Sequence, residues 1–153
     1  MFISISIFAQ QIPLGNLYNS NEFLINSAES AADTVPVIFL THRKQWIGTQ
    51  GDYTTPRTSM LNGHTLVNKN SAVGFKLFSD QSNLITQNYG MLSYANRFIF
   101  NPHTALAFGL SAGYYQNTIR FDNIIAEDNT DDVLANPKSV GSTFESSASV
   151  MFV

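Results

Sequence analysis

The sequence predicts an all-β, antiparallel, up-and-down transmembrane β-barrel, and three observations support this fold class. From Val35 onward, apolar residues alternate with polar or small residues at period two, the spacing at which successive side chains point to opposite faces of a sheet. Charged residues make up only 12% of the chain, about half the share usual in soluble domains, while aromatic residues reach 12%. No stretch approaches the ~18 consecutive apolar residues of a membrane-spanning helix, so we expect any spanning to be done by strands.

The strand predicted after residue 103 shows the two faces most clearly. One face carries mostly large apolar residues, at Leu106, Phe108, Leu110, Ala112 and Tyr114. The opposite face is small and uncharged, at Ala105, Ala107, Gly109, Ser111 and Gly113. A soluble sandwich would turn its large residues inward and long polar or charged side chains outward. The pattern therefore favours a barrel with lipid outside and a crowded interior.

The same alternation predicts about six strands in all. Between residues 72 and 80, three large apolar residues share one face, and the charged Lys76 and Asp80 share the other. This arrangement avoids the cost of about 2–4 kcal/mol for a lysine that faces lipid near the midplane. Further strands are predicted at Thr34–Trp46, Arg57–His64, Leu84–Phe100 and Ser142–Val153.

The connections between the predicted strands alternate in length. Residues 47–56 and 120–141 form long loops, whereas 66–70 and 101–103 form short turns rich in breaker residues. Antiparallel barrels have this asymmetry, with short periplasmic turns at one rim and longer surface loops at the other. The smallest single-chain barrels need about eight strands to close. We therefore expect an incomplete barrel, from a fragment or a truncated reading frame.

Two segments precede the predicted barrel. Residues 1–9 form a short apolar run before Gln10 and Gln11, which resembles the end of a secretory signal peptide but lacks the basic first part. The alternative for this run is an apolar N-terminal strand. We expect residues 10–33 to form a periplasmic segment and residues 34–153 to form the N-terminal part of the β-barrel.

Composition and candidate reactive residues do not favour catalysis or metal binding. A net charge of −3 offers no basic surface for nucleic acid, and the chain has no cysteine. His42, His64 and His103 lie on or beside different strands without the carboxylate spacing of a metal site, and we interpret them as structural. The acidic run 127–132 suggests calcium, but Val133 stands where an EF-hand loop needs glycine, so a solvated loop is favoured. We expect no enzyme activity, no catalytic or metal-ligating residues, no cofactor and no small-molecule substrate.

Short motifs follow one another in order from Gln10 to the end of the chain. A Q-Q-x-P pattern followed by Y-x-x-N-P-x-x-x-N-P-A-Y-A-G is matched at Gln10, Gln11, Pro13, Tyr18, Asn21, Asn26 and Ala28. An R-x-Q-W-x-G stretch closes the first strand at Arg43, Gln45, Trp46 and Gly48, and a later strand of alternating small residues contains Gly109 and Gly113. In this order and spacing the motifs resemble the PorP/SprF family of type IX secretion proteins. Several positions depart from the pattern, among them Glu22 and Ser27 in place of proline, Glu29 in place of tyrosine and Ala31 in place of glycine.

The resemblance implies a non-enzymatic component of the type IX secretion system in the cell outer membrane. Such a component contacts outer-membrane lipid and binds or anchors secreted cargo proteins or a periplasmic ring component, and some members of the family support gliding motility. Arg43 in the first strand is either a partner-binding residue or, as its place on a strand favours, a lumen-facing residue paired with a carboxylate.

Two other functions are compatible with the strand pattern. A passive outer-membrane channel would need a wide lumen, and the bulky lumen-facing residues Lys76, Phe78 and Tyr115 argue against one. A secreted soluble β-domain, such as an adhesin module, would turn polar side chains outward on its strands. The motifs favour the secretion component over both.

Overall fold

The computed structural model describes residues 21–45, 55–101, 104–120 and 138–152 of the chain. Six strands in these ranges form one antiparallel sheet, in which each strand pairs with the next along the chain. The strands are β1 (Val37–Lys44), β2 (Arg57–Leu66), β3 (Ser71–Ser82), β4 (Ile85–Asn101), β5 (Thr104–Arg120) and β6 (Lys138–Phe152). Within the described ranges β1 and β6 are the two edges of the sheet and do not pair with each other. The predicted fold, an incomplete up-and-down antiparallel barrel, is confirmed.

Local sequence chemistry explains where several strands begin and end. β1 starts after Pro36, later than the predicted Thr34, because proline has no N–H to donate to a sheet. β6 starts at Lys138, earlier than the predicted Ser142. The short turn between β3 and β4 contains Asn83 with a φ of 53°, in the left-handed region that asparagine tolerates better than most residues.

The outer face of the sheet carries a continuous band of large, exposed apolar side chains. The register aligns them in rows across the strands, one of which runs through Leu40, Leu61, Leu77, Gly90, Tyr114 and Phe144. On β5 the band extends from Leu106 to Tyr114, roughly 27 Å of strand. The next row beyond Tyr114 is polar, at His42, Ser59, Ser79, Asn88 and Gln116. A band of this extent, bounded by polar residues, is typical of the lipid-facing surface of a barrel, which is about 25 Å tall.

The opposite, inner face changes in character along the strands. Near the turn between β2 and β3, its two rows consist mostly of alanine, glycine and serine. These rows run through Leu66, Ala72, Ala95, Gly109 and Ser149 and through His64, Gly74, Ser93, Ser111 and Ser147. Further along, larger groups such as Lys76, Phe78, Tyr89 and Tyr115 occupy the rows. The inner face therefore leaves most room at the end nearest this turn.

Residues 21–33 precede β1 and fold into two short 3-10 helices, η1 (Glu22–Leu24) and η2 (Ser27–Ala31). Asn26 caps η2, because its side-chain Oδ1 accepts a hydrogen bond of 3.0 Å from the backbone N–H of Ala28. We call residues 21–33 the docked segment, since they lie against the inner face and η2 contacts strands β2 to β6. In the part of the chain that the structure describes, no helix has the length and hydropathy needed to cross a membrane.

Candidate functional site

Alanine packed against alanine forms the central layer between the docked segment and the sheet. Ala28 and Ala31 are fully buried and pack against Ala72, Ala95 and Ala107, which lie on three neighbouring strands. Larger side chains in these rows would hold the two backbones apart. The sequence pattern predicted that these small residues face a crowded barrel interior. In the structure they make room for the docked segment.

Gly109 marks the closest approach of the docked segment to the sheet. A Cβ at this position would lie 2.5 Å from the backbone N of Ala28 and 2.7 Å from the carbonyl carbon of Ser27. Both distances are far below van der Waals contact, and the atoms met belong to backbone, which cannot rotate away as a side chain does. A side chain at residue 109 therefore requires the docked segment to move.

Phe23 anchors η1 in the inner face, where it is only 1% exposed. Its ring packs over Gly74, at which an added Cβ would collide with the ring. The ring centroid lies 4.7 Å from that of His64, and the Nζ of Lys76 lies 4.6 Å from the same centroid, within cation–π range. Phe23 therefore contributes both apolar burial and an attractive face for a buried cation.

Lys76 connects both 3-10 helices to β3. Its Nζ donates hydrogen bonds to the carbonyl O of Leu24 at 3.2 Å and to the Oγ of Ser27 at 3.1 Å, and the residue is buried. A buried ammonium group is costly unless its donors are satisfied. The docked segment supplies these acceptors, so the segment and the lysine stabilise each other.

Serine and asparagine side chains attach the docked segment to β5 and β6. The Oγ atoms of Ser27 and Ser111 share a hydrogen bond of 2.5 Å, and the Oγ of Ser149 accepts one of 3.0 Å from the N–H of Ala28. The Nδ2 of Asn26 donates to a backbone carbonyl of β6 at 3.4 Å. The segment thus reaches across the sheet to its last strand.

Two side-chain contacts attach the docked segment to β2. The Nδ2 of Asn21 donates to the Oδ1 of Asn62 at 3.0 Å, and Asn62 is almost completely buried. The Nε2 of His64 lies 2.7 Å from the Oδ2 of Asp33, and the His64 side chain is only 2% exposed. His42 instead lies exposed on β1. The two described histidines therefore have different surroundings, and His64 is a docking contact.

Glu29 occupies the position at which the family pattern has tyrosine. Burial raises the pKa of its carboxyl group, and repulsion from Asp33 and Glu22 raises the pKa further. A carboxyl group with a raised pKa binds its proton more tightly in the docked state than in the free chain. We therefore expect docking to weaken as the pH rises from the ordinary pKa of 4.5 toward the raised value.

The structure brings some of the motif residues together and leaves others apart. Asn21, Asn26 and Gly109 meet at the docked segment, whereas Gly113 lies further along the inner face beside Met91. Arg43 and Gln45 lie at the far end of β1 or just after it. Outside the described residues lie Gln10, Gln11, Pro13, Tyr18, Trp46, Gly48, His103 and the acidic run 127–132. The described ranges contain no group of three or more metal-binding side chains.

Sequence reasoning missed most residues of the docking site, among them Phe23 and Asn62. Phe23 falls at a variable position of the motif, and Asn62 lies within a strand whose alternation is weak. The sequence contains only an indirect signal of the docking site. Small residues recur at alternate positions on consecutive strands, which indicates a close neighbour on that face without saying which segment it is.

Replacing Gly109 with valine is expected to displace the docked segment and to destabilise the fold by about 1–3 kcal/mol, the usual cost of overpacking. Since the chain has no cysteine, Ser30→Cys adds a single reporter at a fully buried position of η2. Maleimide should label this cysteine much faster in the Gly109→Val background. Gly90→Val is the matched control, because a Cβ there meets only a Leu77 methyl group at 3.5 Å. Equal labelling rates in both backgrounds would contradict the docking geometry.

A comparison with protein-family models identifies the chain. The model described as type IX secretion system membrane protein PorP/SprF matches residues 7–152, a range that includes the docked segment and all six strands. Among curated proteins and among solved structures, no match is found. The resemblance inferred from the sequence motifs is thereby confirmed. The chain belongs to the PorP/SprF family of type IX secretion system membrane proteins.

Proposed function

We propose that the chain is a non-enzymatic component of the outer membrane that binds or anchors a secreted cargo protein or a periplasmic ring component. The observation that carries this proposal is the occupation of the inner face by the docked segment. A sheet that is apolar outside and covered on its inner face by its own chain is suited to holding a protein in a membrane, and it leaves little of this face to line a path for solutes. Binding at the ends of the strands is the function that such an arrangement supports best.

The outer face supports placement in a lipid bilayer. Leu92 and Leu110, near mid-height of the apolar band, are 71% and 63% exposed. In water a continuous apolar surface of this kind promotes aggregation, whereas in lipid it is the favoured surface of a barrel. This outer face argues against the alternative of a secreted soluble β-domain, whose strands would turn polar residues outward.

The docked segment argues against the alternative of a passive channel. η2 contacts five of the six strands, and its residues Ser30 and Ala31 are fully buried. A channel barrel needs a water-filled polar lumen. In the described structure the docked segment covers part of the inner face that would line such a lumen.

We infer that the rim nearest the docked segment faces the periplasm. Residues 34–36 join the segment directly to the start of β1, at the same rim as the turn 67–70 between β2 and β3. Outer-membrane barrels have their short turns on the periplasmic side, and two of the three connections at the opposite rim, 45–56 and 121–137, are long, the short turn 83–84 being the exception. A periplasmic position of the N-terminal segment would present it to a ring component or to cargo before export.

The proposal is tested by deleting the gene in the native host and following a type IX cargo protein by immunoblot. We expect the cargo to accumulate in the periplasm, to return to the medium when the gene is restored, and the protein itself to fractionate with the outer membrane. In planar lipid bilayers the purified protein should show no stable conductance. Unchanged secretion together with a stable conductance would favour the channel, and a soluble protein would reject the membrane placement.

A further inference from the structure

An apolar groove of about 550 Å³ lies on the outer face of the sheet. Its floor is Gly63 of β2, which occupies an outward-facing position without a side chain. Ile38 of β1 and Phe75 of β3 flank this glycine in the same row, and Val73 and Leu92 extend the lining. The groove is therefore a notch in the lipid-facing band, at a place where the flanking strands carry bulky side chains.

The flanking groups stand close around the floor of the groove. A Cβ at Gly63 would lie 2.9 Å from the carbonyl O of Val37 and 3.2 Å from side-chain carbons of both Ile38 and Phe75. Gly63 is buried although it faces outward. The free space therefore lies above Gly63 and between the side chains of Ile38 and Phe75. A flexible hydrocarbon chain can enter a groove of this shape.

One exposed cationic residue, Lys69, lies in the turn at the rim nearest the groove, and Arg97, from an inner-face row of β4, supports this turn. The Nε and Nη2 of Arg97 donate hydrogen bonds of 3.1 Å and 2.9 Å to the carbonyl O of Lys69, in the turn between β2 and β3. Lys69 itself is exposed, and the turn 67–70 contains no acidic residue. Lys69 follows Thr65, at the near end of the groove, by four positions in the chain, at most about 13 Å of extended chain. This distance lies within the depth of one leaflet, about half of the ~30 Å hydrocarbon core.

We propose that the groove binds one acyl chain of an anionic glycerophospholipid, with the phosphate group near Lys69. The groove lies in the apolar band on the outer face, and the chain belongs to a family of membrane proteins. We therefore expect lipid to cover the groove. The charge of Lys69 attracts an anionic headgroup, and its long side chain can lie along apolar surface while the charge stays at the interface. This binding site is independent of the partner that the protein holds.

The test uses the full chain, purified in detergent, with dioleoylphosphatidylglycerol as the probe and native mass spectrometry as the measurement. Val73→Trp fills the groove, whereas Leu110→Trp places the same side chain in the same row of the outer face but outside the groove. We expect Val73→Trp to weaken lipid retention roughly tenfold, as the loss of contact with about two methylene groups would. Leu110→Trp should retain the lipid as the unmodified protein does.

A second pair of measurements tests the headgroup. Lys69→Glu should weaken retention of dioleoylphosphatidylglycerol but leave retention of the uncharged dioleoylglycerol unchanged. Equal retention by the Val73→Trp and Leu110→Trp variants would overturn the groove as a binding site. Unchanged retention of the anionic lipid by Lys69→Glu would overturn the headgroup assignment. Circular dichroism of every variant establishes that the strands have formed before the retention values are compared.

Discussion

Replacing Phe23 with alanine is expected to lower the free energy of unfolding by about 3–5 kcal/mol, the usual range for a fully buried phenylalanine. The side chain is only 1% exposed and contacts the His64 ring. Its removal opens a cavity above Gly74 and takes the aromatic face away from the ammonium group of Lys76. We therefore expect the docked segment to detach in the variant before the sheet unfolds.

Two measurements separate detachment from unfolding in this variant. Denaturant titration followed by far-ultraviolet circular dichroism reports the strands, while maleimide labelling of a Ser30→Cys reporter reports the docked segment. Phe144→Ala is the matched control, because Phe144 is 73% exposed on the outer face. If the two alanine variants lose the same stability and label at the same rate, the segment does not stabilise the fold.

Replacing Leu110 with arginine is expected to cost about 2–4 kcal/mol of folding free energy in a bilayer, the range measured for a cation near the midplane. Leu110 lies at the middle of the apolar band on β5, between Leu106 and Tyr114. The measurement is the denaturant midpoint for folding into phospholipid vesicles. In detergent-free buffer, where no bilayer is present, the substitution should instead reduce aggregation.

Asn88→Arg is the control for the charge itself. Asn88 lies on the same outer face, but in the polar row beyond the apolar band. Near the interface an arginine is expected to cost only about 0–1 kcal/mol. Similar costs at residues 88 and 110 would show that the apolar band does not face lipid, and the membrane orientation described above would then be wrong.

The arrangement of strands was predictable because its physical signal is local. A period of two residues fixes which side chains share a face, and the predicted faces of β5 are those that the structure shows. Strand ends were less predictable. They depend on single residues such as Pro36 and Asn83, whose effects on the backbone compete with the alternation.

The docking site was not predictable from the sequence, because its contacts join distant parts of the chain. Ala28 bonds to Ser149, 121 residues away, and Lys76 bonds to Ser27 at a separation of 49. No periodic pattern encodes such pairs. The sequence did reveal that one face of β5 is small, but small residues are compatible with empty space, with bulky neighbours and with a second layer of chain.

The reach of the docked segment has a consequence for the order of assembly. Its partners include Ser149 and the carbonyl of Val150 on β6, the last strand of the sheet in chain order. Residues 21–33 emerge early from any process that delivers the chain from its N-terminus, yet they cannot complete their bonds until β6 has joined the sheet. Contacts between residues that are so far apart in the chain form slowly. The segment is therefore available to chaperones or to a neighbouring protein throughout strand assembly, and its docking reports that the sixth strand is in place.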